Sequence, residues 1–375
     1  MKKLLLLILC LHSAQFISAQ INNDSLEYRI RPDSLRTGEL YLSIHNFNFL
    51  RNYEFFSKFQ DGYTLYGTQL EPQLVYYADP KLVLTAGIHM RKDFGGKGIY
   101  KTYPLFSIKY QNKGLAFING VLEGNVQHRY IEPIFDMERK ITQPVEYGTQ
   151  LQITKPSFFM DVFINWNNMI YKYSGEQEQL FAGGTADLSL FKSARAKLTI
   201  PLQVLAFHQG GQIDTIEAPL KTIINGATGL KFNYKLGKVF QSVFTENYLV
   251  KYIDNSSTHL QAYNNGKGLF LNAGVESKFG DLIFSYWHGN SYISSAGMPL
   301  YQSVSYNVGN EGYTEKIREL LLVRYVYKKK LVPNLYLDFR VEPAFDLGNN
   351  ASKSFDFHHS LFLVYKQEFR LFGNK

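Results

Sequence analysis

The chain has 375 residues, 45% apolar, 15% aromatic and 19% charged, with a net charge of +8. Its 27 tyrosines and 29 phenylalanines exclude a disordered, collagen-like or coiled-coil chain. The single cysteine, Cys10, excludes a disulfide scaffold and a cysteine-based zinc site.

The first element is a secretory signal. Lys2 and Lys3 precede an apolar core over Leu4 to Leu11, and Ile17-Ser18-Ala19 offers a cleavage site ahead of Gln20. The core is too short to span a bilayer as a helix. Cleavage after residue 19 removes Cys10 and both signal lysines. The remaining basic residues are spread along the chain without an aromatic-interleaved block, so nucleic acid is not expected as a partner. Residues 20–37 form a polar periplasmic N-terminal segment, read as a tail in preference to a short plug.

From residue 38 to 375 the pattern has period two. In 81–91, Leu82, Leu84, Ala86, Ile88 and Met90 oppose Val83, Thr85, His89 and Arg91. In 335–346, Leu337, Phe339, Val341 and Phe345 oppose Asp338, Arg340, Glu342 and Asp346. Strands are expected near 38–50, 63–78, 81–93, 101–112, 114–124, 145–155, 157–168 and 179–191. A second set is expected near 197–208, 222–235, 238–252, 266–278, 280–291, 315–329, 332–346 and 354–369. Two of these, 239–252 and 317–327, mix charges and large apolar side chains on one face. Many of the segments reach the roughly 9–11 residues that a tilted strand needs to cross a bilayer.

The links alternate in length. Short ones fall at Asp79-Pro80, Asn112-Lys113, Lys155-Pro156, Ser193 to Arg195, Gly237, Gly280 and Lys330-Leu331. Long ones fall at 51–62, 94–100, 125–144, 169–178, 209–221, 253–265, 292–314 and 347–353. Tight turns at one end and long loops at the other mark an outer-membrane barrel, in which closure pairs every backbone polar group. The expected fold is an all-β transmembrane antiparallel up-and-down barrel of about sixteen strands, or fourteen if segments merge. Tyr76, Tyr77, Tyr103, Tyr110, Tyr234, Tyr248, Tyr252, Tyr325, Tyr327 and Tyr365 are candidates for interfacial girdles.

The Ala19-Gln20 junction, the long aromatic strands and the final Tyr365-to-Phe372 segment resemble outer-membrane β-barrel proteins of the Bacteroidota type. The resemblance implies a place, the bacterial outer membrane, with membrane lipid as surroundings and barrel-assembly machinery as a partner during biogenesis. It implies no substrate.

Barrel enzymes that hydrolyse lipids use a Ser-His pair, often spaced His-x-Ser on one strand. His358-His359-Ser360 has that spacing, and Asp356 shares the face. The phase points Asp356, His358 and Ser360 into the lumen, away from lipid, and favours polar lining over catalysis. No catalytic residue, metal site or cofactor is therefore assigned, and an enzyme is not expected. His89, His128 and His208 lack a ligand spacing. Lumen-lining candidates are Glu71, Arg91, Glu146, Asp161, Asp187, Lys231, Glu276, Lys278, Asp338, Arg340, Glu342 and His358. Sixteen strands enclose more space than wall side chains fill, so 292–314 or 125–144 must fold inward to narrow it. The expected function is a porin-like channel for passive diffusion of small hydrophilic solutes. The alternatives are a scaffold, adhesin or assembly subunit and, third, a lipid-modifying barrel enzyme.

Overall fold

A computed structural model describes residue 21 and residues 23–211, 213–348 and 355–373. The signal segment 1–19 lies outside the described residues, as do parts of the 347–353 link. The structure is a closed sixteen-strand barrel in which each strand pairs with its sequence neighbours and the last pairs with the first. In chain order the strands are β1 (Leu40–Glu54), β2 (Tyr63–Asp79), β3 (Leu82–Asp93), β4 (Lys101–Asn112), β5 (Leu115–Val121), β6 (Tyr147–Lys155), β7 (Phe158–Asn168) and β8 (Gln179–Lys192). They continue as β9 (Ala196–Gln209), β10 (Lys221–Lys235), β11 (Phe240–Asp254), β12 (Asn265–Ser277), β13 (Asp281–Asn290), β14 (Ile317–Val332), β15 (Leu335–Asp346) and β16 (Phe355–Phe372). No helix among the described residues is long and apolar enough to cross a membrane.

Every expected strand forms. The largest shift is at β1, which runs four residues further than the hydrophobic pattern suggested. Arg51 to Glu54 pair with Ser360 to Phe357 on one side, and Arg51 to Tyr53 with Leu65 to Tyr63 on the other. Alternating burial follows the pleat. Along β16, Asp356, His358, Ser360, Phe362 and Val364 are buried inward, while Phe355 and Leu361 face out. Tyr76, Tyr110 and Tyr325 face out as girdle residues. Tyr77, Tyr248 and Tyr252 are buried inside instead, and Tyr103 meets His89 there, because their pleat phase is the inward one.

The loop end of the interior is filled. Residues 122–146, which include the short helix α1 (Arg139–Thr142), and residues 291–316 both fold into the loop end of the lumen. Tyr130, Ile131, Ile134 and Phe135 of the first segment join Tyr292, Ile293, Met298 and Tyr301 of the second in one apolar cluster with the inner wall. This explains the two segments of mixed face. Inward Tyr248, Val250 and Tyr252 on β11 and Leu320 and Leu322 on β14 belong to that cluster, beside inward Glu246, Arg318 and Arg324. The two plug segments are stitched together by Asp136 N donating to Ala296 O (2.8 Å) and Met298 N to Glu132 O (3.0 Å). A Cβ on Gly297 would sit 1.9 Å from Pro133 O, so the seam requires glycine there.

Wall side chains satisfy the plug backbone. Trp287 Nε1 donates to Tyr301 O (2.9 Å), Asn225 Nδ2 to Ile293 O (2.7 Å) and Arg91 to Ile141 O (2.9 Å). The N-terminal segment also enters, from the turn end. Leu26 and Ile30 are buried, Arg31 reaches Gln152 (2.6 Å) and pairs with Glu123, and Arg340 donates to Asn23 Oδ1 (2.7 Å). It behaves as a plug, not a tail, because its arginines find buried carboxylates and amides inside the barrel.

Candidate active site

The pairing of β1, β16 and β15 sets three inward residues side by side at each level. His358 lies between Tyr53 and Glu342, and Ser360 lies between Arg51 and Arg340. Glu342 Oε2 is 3.0 Å from His358 Nε2. That leaves Nδ1 as the free nitrogen, buried and without a partner, and Ser360 Oγ is likewise buried and unpartnered. Arg340 is held by Asp338 (2.8 Å). Arg324 approaches Glu342 (3.4 Å) from β14 and pairs with Glu132 of the plug. The constellation is a carboxylate on one ring nitrogen of a histidine, a hydroxyl two residues along on the same face, and a guanidinium on each side of that hydroxyl.

These groups supply the parts of acyl transfer. Glu342 is ion-paired to the imidazole, His358 and Ser360 share one strand face with no hydrogen bond joining them, and two cations flank the hydroxyl where an oxyanion would form. The carboxylate beside His358 is Glu342 and not Asp356, the residue that shares the strand face. Asp356 Oδ1 accepts from the backbone N–H of Phe56 (2.7 Å) and of Ser57 (3.0 Å) and is spent on that turn. Glu342, His358 and Ser360 are all nearly inaccessible. Met137 of the plug lies against the two flanking arginines, its sulfur 2.8 Å from Arg51 and 3.6 Å from Arg340. A cavity of about 130 Å³ lies beside it, lined by Met137, Arg324, Arg340 and the apolar Phe135, Phe270 and Ile283.

The other sequence-chosen residues form separate pairs. Glu71 on β2 binds His45 (3.1 Å) and His89 (2.8 Å). Arg91 binds Asp93 (2.7 Å), and Asp187 binds Lys231 (2.9 Å). Glu276 accepts from Ser242. Lys278 is a correction: it lies past the end of β12, in the exposed turn, because the strand stops at Ser277 before the pleat can carry it inward.

Glu146 and Asp161 meet on a residue that no spacing singled out as their partner. His128, in a single helical turn of the plug (Asn125–His128), puts Nε2 2.9 Å from Glu146 and Nδ1 2.9 Å from Asp161. Its ring stacks on Phe163 at 3.7 Å. Burial works against the charged ring, but Asp161 and Glu146 outweigh it and lift the pKa to about 10. Both nitrogens are occupied, so His128 is a fixed cation that pins the plug and not a base. Nearby, burial and Glu138 push Asp136 up to about 7, against the attraction of Arg51.

Sequence reasoning missed Arg51, which it placed in a loop, and Glu342 as the partner of His358. Both appear only once cross-strand register is known.

Comparison with known proteins supports the architecture and corrects the activity. The outer membrane protein OprD from Pseudomonas aeruginosa has a similar fold, with a TM-score of 0.51 at 10% identity over 92% of this chain and 97% of that one. OmpT of Vibrio cholerae gives 0.50 at 8% identity, over 88% and 98%. At such identities the likeness concerns the fold, an outer-membrane β-barrel. No curated protein matches the sequence. A family profile does, over residues 30–374, and it is that of an enzyme family. The expectation that the chain is not an enzyme is overturned by this match. The inward phase of His358 and Ser360 holds in the structure, and the match shows that this phase does not exclude an enzyme. With residues 30–374 matched, the chain belongs to the lipid A 3'-O-deacylase-type family.

Proposed function

We propose that the protein is an outer-membrane ester hydrolase that removes an ester-linked acyl chain from a lipid A-type glycolipid. The observation that carries this reading is the Glu342–His358–Ser360 row flanked by Arg51 and Arg340, in a chain of the deacylase-type family. Segment 1–19 exports the chain, and barrel-assembly machinery inserts it.

In this reading Ser360 Oγ attacks the ester carbonyl and its proton passes to His358 Nδ1. Glu342 holds the imidazolium that results. Negative charge on the carbonyl oxygen is met by the guanidinium of Arg51 or Arg340. Collapse breaks the C–O bond, and His358 returns the proton to the departing sugar oxygen. Water then attacks the acyl-serine with His358 as base, releasing the fatty acid and restoring Ser360. The row is buried and Met137 of the plug lies against both flanking arginines, so in this reading the acyl chain reaches it when residues 122–146 move. The plug at the loop end gives a passive diffusion channel no support, and the apolar seam between the plug segments argues for a closed resting state.

The test is covalent capture. A fluorophosphonate probe, added to the folded barrel with the lipid substrate present to open the plug, should label Ser360, read as a mass shift on the peptide spanning 355–370. The Ser360→Ala variant should stay unlabelled while keeping its heat-modifiable mobility. Labelling of the alanine variant at the wild-type level would reject Ser360 as nucleophile.

A further inference from the structure

The outer wall carries a second chemical feature, far along the barrel from the Ser360 row and independent of it. Lys251 on β11 and Lys267 on β12 are directly opposite each other, and both side chains are exposed on the outward face. Like charges directly opposed across a strand pair destabilise it. Among the described residues neither lysine has a carboxylate within ion-pair distance. Lys251 Nζ reaches only the Asn265 amide oxygen (3.4 Å), and Lys267 stands opposite Asn290 on its other side. The acidic residue facing outward nearby, Glu319, is taken by His288 (2.9 Å).

The height of the pair is informative. On β11 the outward neighbours of Lys251 are Leu249, 65% exposed, toward the turns and Ile253, 40% exposed, toward the loops. Ile253 pairs with Ile224 on β10, and only beyond them do His208 and Thr222 mark a polar level. The two lysines thus sit at the loop-side edge of the apolar band and not in bulk solvent. Beside Lys251, Gly226 leaves the wall open, with nothing nearer than Gln203 O at 3.4 Å to a Cβ. Cations at this depth direct their ammonium groups to the headgroup layer.

We propose that Lys251 and Lys267 form a docking site for the phosphate of a lipid in the loop-side leaflet, with acyl chains lying over Leu249 and Gly226. One dianionic phosphate bridging both ammonium groups removes the like-charge repulsion, and the Asn265 and Asn290 amides flank it. Attraction of each lysine to an anionic headgroup contributes about 1 kcal/mol, so losing both should weaken binding roughly thirtyfold.

The experiment is native mass spectrometry of the full mature barrel in dodecyl maltoside, titrated with dioleoyl phosphatidic acid and, separately, dioleoylglycerol. These share acyl chains and differ in the phosphate. Wild type should retain phosphatidic acid and not the glycerol lipid. A Lys251→Gln/Lys267→Gln double variant, shown folded by heat-modifiability, should lose affinity roughly thirtyfold. Each single variant should lose roughly fivefold, and a Lys113→Gln/Lys155→Gln control at the turn end should lose none. Equal retention of the two lipids, unchanged affinity in the double variant, or an equal loss in the control would overturn the site.

Discussion

Replacing His128 with phenylalanine tests how the plug is held. The substitution keeps an aromatic ring to stack on Phe163 and removes both N–H donors, leaving Glu146 and Asp161 facing each other with no cation between them. Asp161 would retain Gln150 Nε2 at 3.0 Å, and Glu146 would retain the weaker Asn125 N–H at 3.3 Å. Breaking a buried ion pair by removing one partner costs about 3–5 kcal/mol. The residual amide bonds place this case at the lower end, about 3 kcal/mol, or roughly a hundredfold in the opening equilibrium of residues 125–141. Hydrogen exchange on the folded barrel reads this directly. Amides of 125–141 should exchange roughly a hundredfold faster than in wild type, while amides in the centres of β9 and β10 should keep their rates. Wild type carries its own signature. A pKa raised to about 10 means that the stabilisation by His128 is complete below its unfolded value of 6.5 and is lost as pH rises through about 10. Plug protection in wild type should fall over that window, and the phenylalanine variant should show no such fall. Unchanged exchange at pH 7 in the variant would refute the view that this imidazolium pins the plug.

Three more outcomes follow from the same contacts. Asp136, raised to about 7 from 3.8, favours the packed plug fully below about pH 4 and loses that contribution as pH rises through about 7; protection factors of 130–141, corrected for intrinsic exchange, should fall across that range in wild type and stay level in Asp136→Asn. Gly297→Ala forces a Cβ into Pro133 O at 1.9 Å, and overpacking of about 1–3 kcal/mol should expose 122–146 to limited proteolysis without unfolding the barrel on gels. Glu342→Gln keeps the shape but removes the charge facing His358 Nε2, and acyl release should fall roughly a hundredfold or more with little change in KM; an unchanged rate would separate Glu342 from the chemistry.

The barrel was legible because its cause is local. Lipid outside and polar groups inside impose alternation, and Leu82 to Met90 against Val83 to Arg91 shows it in one strand. The turn and loop rhythm was legible for the same reason, since turn residues such as Asp79-Pro80 act within two positions. What stayed hidden depends on register. His358 and Ser360 were visible as a pair, but Glu342 and Arg51 become their neighbours only because β15 and β1 pair with β16 at Glu342↔His358 and Arg51↔Ser360. A strand displaced by two residues would keep every face and bring Asp356, Phe362 or others to those places. The plug was foreseen as a need of the wide lumen, yet its docking was not, since His128 meets Glu146 and Asp161 from a segment with no periodic pattern. The charged residues chosen as lumen lining are mostly held in pairs such as Glu71 with His45 and His89.

The most direct test of the account is acyl release. Purified wild-type and Ser360→Ala barrels would be incubated with acylated lipid A in mixed micelles, and the lipid followed by mass spectrometry alongside free fatty acid. The account predicts loss of one ester-linked acyl chain with wild type, matched by an equal amount of fatty acid, and intact lipid A with the variant. Intact lipid A with both proteins, each folded by heat-modifiability, would contradict the assignment of hydrolysis, and equal release by both would contradict the assignment of Ser360.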